Sequence, residues 1–298
     1  MKRHTFELTS VSPDYIKNIL IHQCAHHEYF SFLDSNNHND AYSRYDWIVA
    51  FEAEFIFQPS GNSFKGLMEF YQQHNDWLFG HLCYDLKNEL EDISTSNPET
   101  IDFTPMLFFV PKTVVYSRKG KITVETSEFE TESEWLASLN THPAEETESS
   151  PIELTAHTIR EEYQQKAASL KEHLQYGNIY EINYCIEFAT TVSAFDSTSV
   201  FKKLNDSAKA PFAAFYKNGN KHLLCASPER YLHKAGDVLT SQPIKGTIRR
   251  AATLQEDELL KKELLTSEKE RSENVMITDL VRNDLSRTAA KASVKVTE

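Results

Sequence analysis

The chain has 298 residues, 40% of them hydrophobic and 11% aromatic, which is enough for a sizeable core and one or two domains and excludes a disordered chain. Its formal net charge of −13 argues against a nucleic-acid or anionic-membrane partner, both of which call for a basic face. An anionic substrate would have to be met by cations concentrated locally against that global field.

Cys24, Cys83, Cys185 and Cys225 show neither CxxC nor metal-ligand spacing, so they read as reduced thiols of a cytoplasmic protein. The first twenty residues are broken by Glu7, Pro13 and Asp14 and make a poor signal peptide. No apolar run approaches a membrane span. Only eight glycines occur, with no GxGxxG or GxxxxGK[ST], so the commonest nucleotide-binding loops are absent.

In chain order, His22, His26 and His27 include an i, i+4 pair but no carboxylate helper, which argues against a metal site. "DWIVAFEAEFIFQP" is a β-branched and aromatic run that predicts a strand buried on both faces. "FKGLMEFYQQHNDWLFGHLCYDLKNELEDI" mixes a short helix with a strand, and "MLFFVPKTVVYSRKGKITVET" predicts two strands around a turn at Gly120. "NTHPAEETESSP" is acidic, rich in Ser and Thr and closed by Pro151, which reads as a solvated linker. The domain boundaries expected are therefore 1–139, a linker at 140–152, and 153–298.

Past the linker, Thr158 with Glu161 fits a capping box and Gly177 a C-terminal cap, with Ile159, Tyr163, Leu170 and Leu174 on one face of the helix between. "IYEINYCIEFATTV" reads as a strand with Glu181 and Asn183 on one face. "KHLLCASPER" and "VLTSQPIKGT" are strand-like, joined through a turn at Gly236. A helical region runs from about Leu254 to Arg287, and "ASVKVTE" resembles the start of another strand.

Three residues could carry chemistry. Lys245 in "SQPIKGTIRR" is either a surface lysine in a turn or a nucleophile. As a nucleophile it must be neutral, which needs its pKa lowered by about three units, roughly 4 kcal/mol. Its neighbours suit a site: Gly246 admits a ligand to the backbone, Thr247 offers a hydroxyl and an N–H, and Arg249 or Arg250 can grip a carboxylate. Glu229 in "ASPER" is either a surface carboxylate paired with Arg230 or a general acid. Glu273 in "KERSENVMITDLVRNDLSR" shares a helical face with Ile277 and Leu280, where a carboxylate is costly unless it is paired or binds a metal such as Mg2+.

The order and spacing of "GNIYEINY", "PFAAFY", "ASPERYL", "PIKGTIRR", "KERSENVMITDLVRNDLSR" and "SVKV" resemble the chorismate-utilising enzymes. "YSRYDWIVA" and "GHLCYDLKNELED" resemble the N-terminal domain of the same group. Anthranilate synthase component I usually carries alanine where Lys245 stands; the lysine version resembles aminodeoxychorismate synthase component I. Glu181 occupies the place of the base lysine in water-adding members. The resemblance implies an α+β fold of stacked, largely antiparallel sheets flanked by helices.

It also implies chemistry: Mg2+ held by Glu273, attack of Lys245 on the chorismate ring with Glu229 as the acid, and ammonia from a glutamine amidotransferase partner. Gly246, Thr247, Arg250 and Asn183 would bind the substrate. Ser35, Tyr42, Ser43, Arg44, Tyr45, Pro211, Phe212 and Ala213 would line an amino-acid pocket that holds tryptophan in relatives. Family members continue past "SVKV" with a further part of the cavity, so this chain is expected to be truncated and inactive by itself. Anthranilate synthase component I, or a non-catalytic remnant that binds the amidotransferase or an amino acid, are the alternatives.

Overall fold

Between Trp47 and Phe57 the run of β-branched and aromatic side chains forms the strand the sequence predicts. The computed structural model of the protein describes residues 2–93, 100–139 and 152–297. Its fold is α+β, and the described chain divides into two compact units, Met1–Pro143 with Phe201–Glu298, and Ala144–Val200.

In the first unit the strands are β1 (His4–Leu8), β2 (Tyr29–Asp34), β3 (Trp47–Phe57), β4 (Phe79–Leu82), β5 (Met106–Arg118) and β6 (Lys121–Thr126). With β9 (Phe212–Asn218) and β10 (Lys221–Ser227) they make one eight-stranded sheet in the order β1-β6-β5-β3-β2-β9-β10, with β4 on the outer edge of β5. Every pairing in it is antiparallel. Strands from both sides of the predicted linker thus share a sheet. The linker itself, apart from Ile152, lies outside the described residues. The β5–β6 hairpin closes through Lys119 and Gly120, both at positive φ (53° and 74°), as a two-residue turn matched to strand twist requires.

The period of two on β3 divides its side chains between two cores. Trp47, Val49 and Phe51 join the cluster that holds Phe30, Phe32, Phe215 and Phe201. Ile48 and Ala50 join Phe79, Leu107, Phe109 and Tyr216 on the other face. Helix α1 (Pro13–Cys24), capped by Ser12 and carrying Pro13 at its start, buries Ile16 and Leu20 in the first cluster. Helix α2 (Ser63–His74) follows β3, and α3 (Glu132–Ser138) opens on a full capping box between Thr131 and Glu134 and buries Trp135. Helix α5 (Ser197–Ala208) contributes Phe201, which stacks 5.3 Å from Phe215 and meets Phe32 edge-on at 5.7 Å.

In the second unit, β7 (Thr155–Ala156) pairs with β8 (Phe188–Ala189), and α4 (Arg160–Gln175) stands between them in sequence. Gly177, at φ 76°, closes α4: its N–H bonds to Leu174 O and that of Asn178 to His173 O, a Schellman ending. Its start differs from the reading: Ile159 is the cap, with no side-chain bond from Thr158. The long strand expected over "IYEINYCIEFATTV" is reduced to Phe188–Ala189. A strand exists only against a partner ladder, and among the described residues only β7 supplies one here.

Returning to the first unit, β11 (Arg230–Ala235) and β12 (Val238–Gln242) form a separate hairpin turning at Gly236. The helical region is two helices, α6 (Leu254–Thr266) and α7 (Glu268–Ser286), because Ser267 leaves helical geometry. Ser267 ends α6 and its hydroxyl caps α7 by accepting from the Glu270 N–H. Neither helix contains a buried residue, so the inward-facing stripe expected around Ile277 and Leu280 is not formed. The strand expected at "ASVKVTE" is likewise absent among the described residues.

Candidate functional site

Two carboxylates fix the loop between β2 and β3. Asp34 ends β2, is buried, and sits 2.5 Å from Lys17 Nζ. It accepts from the Asn36 N–H at 3.0 Å and from Asn205 Nδ2 at 3.1 Å. Asn36 adopts φ 49°, a left-handed conformation asparagine tolerates, and its amide donates to Ala210 O at 2.7 Å. Asp46 closes the loop by accepting from Ser117 Oγ at 2.7 Å and the Gly120 N–H at 2.9 Å. Burial pushes the Asp46 carboxyl up, but these hydrogen bonds outweigh it and hold the group below the usual range.

The pinned loop faces the start of β9. Ser35, Tyr42, Ser43, Arg44, Tyr45, Pro211, Phe212 and Ala213 all line one cavity of about 300 Å³. The structure thus brings together all eight residues expected for the amino-acid pocket. Arg230 and His233, from β11, complete its wall.

The catalytic candidates lie on the segments around the β11–β12 hairpin. Glu229 is exposed between β10 and β11, its N–H bonded to Ser227 Oγ. Lys245 is half-buried in the irregular chain after β12. Pro228, beside Glu229, and Ile244, beside Lys245, line one cavity of about 390 Å³. Asn274, beside Glu273, lines another of about 310 Å³, between β12 and α7. Gln242 and Pro243 belong to the walls of both.

Gly246 has φ 79°, and a Cβ there would stand 2.7 Å from Glu270 Oε2. The Lys245–Gly246 backbone therefore rests against the first turn of α7, one turn before Glu273. Glu270 is a carboxylate that sequence reasoning missed; its i, i+3 spacing from Glu273 was the available signal. Lys269 Nζ lies 3.6 Å from the Glu270 carboxylate and 3.7 Å from that of Glu273. Among the described residues no group of three or more His, Cys, Asp or Glu is placed to hold a metal ion. Mg2+ takes one or two carboxylates from a protein and completes its shell with water and substrate oxygens, so Glu270 and Glu273 would serve it only with the Lys269 ammonium turned away from them.

The other expected substrate ligands are placed differently. Thr247 is exposed. Arg250 is turned to Asp257, donating from Nη2 at 2.6 Å and from Nε at 2.8 Å, and this pairing holds the Asp257 carboxyl near 2. Asn183 is exposed in the second unit. His27 stacks on Phe51 at 5.2 Å with its Nδ1 3.2 Å from Glu52, and burial lowers its pKa, which favours the neutral ring.

Comparison with protein families matches residues 26–298 to the chorismate binding enzymes. Aminodeoxychorismate synthase component 1 of Klebsiella aerogenes is 40% identical over 144 residues, 48% of this chain and 32% of that one. The Escherichia coli protein of the same name is 37% identical over 164 residues, 55% of this chain and 36% of that one. The chain thus spans about a third of these curated relatives. Among solved structures, anthranilate synthase component I from Streptococcus pneumoniae superposes with a TM-score of 0.73 at 22% identity, covering 88% of this chain and 66% of that one. At that identity the likeness concerns the fold alone.

Proposed function

The chain belongs to the chorismate binding enzymes, and from that premise we propose that it serves the amination of chorismate at C4, giving 4-amino-4-deoxychorismate. The observation that carries this reading is the seating of Lys245–Gly246 against the acidic first turn of α7. It rests the backbone next to Lys245 on Glu270, one turn before Glu273, while Pro228, beside Glu229, and Ile244, beside Lys245, line a common cavity. The relatives named aminodeoxychorismate synthase component 1 support the same choice.

In the proposed sequence, neutral Lys245 attacks ring carbon C2 through Nζ. The ring double bonds shift, and the C4 hydroxyl departs as water with a proton from Glu229. Ammonia then bonds to C4, the double bonds shift back, and the Lys245 amine is expelled. Glu273, with Glu270, would hold Mg2+, which when bound supplies positive charge for a substrate carboxylate. The "component 1" of the relatives' names supports a second component. A glutamine amidotransferase delivering ammonia would fill that place, in the cytoplasm. The cavity of about 300 Å³, with aromatic and cationic walls, would take an amino acid such as tryptophan.

Product analysis with chorismate, ammonia and Mg2+, on a chain extended to the length of the curated relatives, tests the reading. Aminodeoxychorismate is expected; anthranilate formed without an added lyase would replace this reading with anthranilate synthesis.

A further inference from the structure

Arg230 is the first residue of β11 and stands opposite Gln242, the last residue of β12. Its side chain is 13% exposed and reaches three separate segments. Nε donates to Gln242 Oε1 at 2.8 Å, and Nη2 donates to Asp40 Oδ2 at 2.7 Å. The guanidinium lies 4.7 Å from the ring centre of Phe212 and 5.9 Å from that of Tyr42.

Asp40 is in turn built into the cavity loop, accepting from the Tyr42 N–H at 2.7 Å and from Ser43 Oγ at 3.0 Å. Burial pushes its carboxyl up, but Arg230 and these donors outweigh burial and leave it at about 2, ionised across the neutral range. At the other end of the fork, Gln242 is the last ladder residue before the chain runs through Pro243 and Ile244 to Lys245. Arg230 lines both the amino-acid cavity and the cavity bounded by Pro228 and Ile244.

A planar guanidinium with donors at fixed angles transmits position between two acceptors, which a flexible ammonium does not. We propose that Arg230 is a positioning residue that couples the loop at the amino-acid cavity, through Asp40, to the placement of Lys245, through Gln242. The inference rests on the reading of Lys245 as the reacting amine and of the cavity as an amino-acid site. It adds a physical link between two sites that are 205 residues apart in sequence at Asp40 and Lys245.

The test is the rate at which Lys245 is acetylated by an amine-directed reagent in the intact chain, read by peptide mass spectrometry. Lys65 and Lys121 serve as internal controls. Arg230→Gln, Gln242→Leu and Asp40→Ala should each change the Lys245 rate about 10-fold, the scale of one charge-assisted hydrogen bond, with the controls within about twofold. Gln242→Glu keeps an acceptor for Arg230 and should retain the wild-type rate. The double variant Asp40→Ala/Gln242→Leu should do no more than either single change.

A Lys245 rate unchanged in Asp40→Ala would overturn the coupling. So would Gln242→Glu behaving like Gln242→Leu, or controls shifting in step, since both describe mere loosening of the hairpin. The readout uses no chorismate, so failure of the coupling and failure of the proposed amination are separate results.

Discussion

The strands around β3 and the helices α6 and α7 belong to one unit but differ in what they bury. Phe30, Phe32, Phe109 and Phe215 are fully buried, and β3 feeds side chains to clusters on both faces of the sheet. In α6 and α7 no residue is buried, and Leu254 and Val275 are 86% and 67% exposed. The difference separates two jobs. The dense sheet holds the 34–46 loop and the cavity of about 300 Å³ beside it in place through buried Asp34 and half-buried Asp46. The reactive candidates Glu229, Lys245 and Glu273 stand on the sparse side, at hairpin ends and on a helix, where groups can meet a ligand. Arg230 ties the β11–β12 hairpin to the 34–46 loop through Gln242 and Asp40.

The comparison breaks most visibly in the core. Phe30→Ala should cost about 3–5 kcal/mol in denaturant unfolding. Leu259→Ala on exposed α6 should stay within about 0.5 kcal/mol. Equal losses would mean that α6 is packed as tightly as the sheet. On the reactive side, Glu229→Gln should leave stability unchanged yet slow turnover at least about 100-fold, as removal of a general acid does; steady-state kinetics checks it.

Gly246→Ala is a smaller change. At φ 79° a side chain costs about 1–2 kcal/mol, and the new Cβ would press on the Glu270 carboxylate. A lower unfolding midpoint together with weakened Mg2+ dependence of turnover is expected. The smallest effect concerns pH. The Asp40 carboxyl titrates near 2 in the folded chain, below its ordinary 3.8, because Arg230 and the loop donors outweigh burial. Its contribution is therefore complete above about pH 4 and fades as pH falls through 2. Fluorescence of Trp47, which lines the cavity, should report that transition in the wild type and lose it in Arg230→Gln.

Local patterns were legible wherever the partner lay nearby or the chemistry was a backbone one. The two-sided burial of Trp47–Phe51, the turn at Gly120 and the helix ending at Gly177 follow from side-chain period and positive φ alone. The pocket residues came from likeness to a family, and the structure gathers all eight in one cavity. The irregular course of Ile182–Ile186 was not legible, because an alternating sequence stays irregular where no ladder among the described residues faces it. The break at Ser267 hides inside a continuous helical pattern, since serine is tolerated in helices and decisive only as a cap. The Asp40–Arg230 pair spans 190 residues, and sequence placed Arg230 beside Glu229 instead. Arg250 looked free to grip a substrate carboxylate, but Asp257, seven residues on, supplies one of its own.

The central claim is that Lys245 is the nucleophile. Mass spectrometry of the protein, extended to the length of its curated relatives and incubated with chorismate and Mg2+ without ammonia, tests it most directly. The account predicts an added mass of chorismate less one water, mapped to Lys245 and absent in Lys245→Ala. An unmodified Lys245 in protein that nonetheless aminates chorismate, or ammonia-dependent turnover retained in Lys245→Ala, would contradict it.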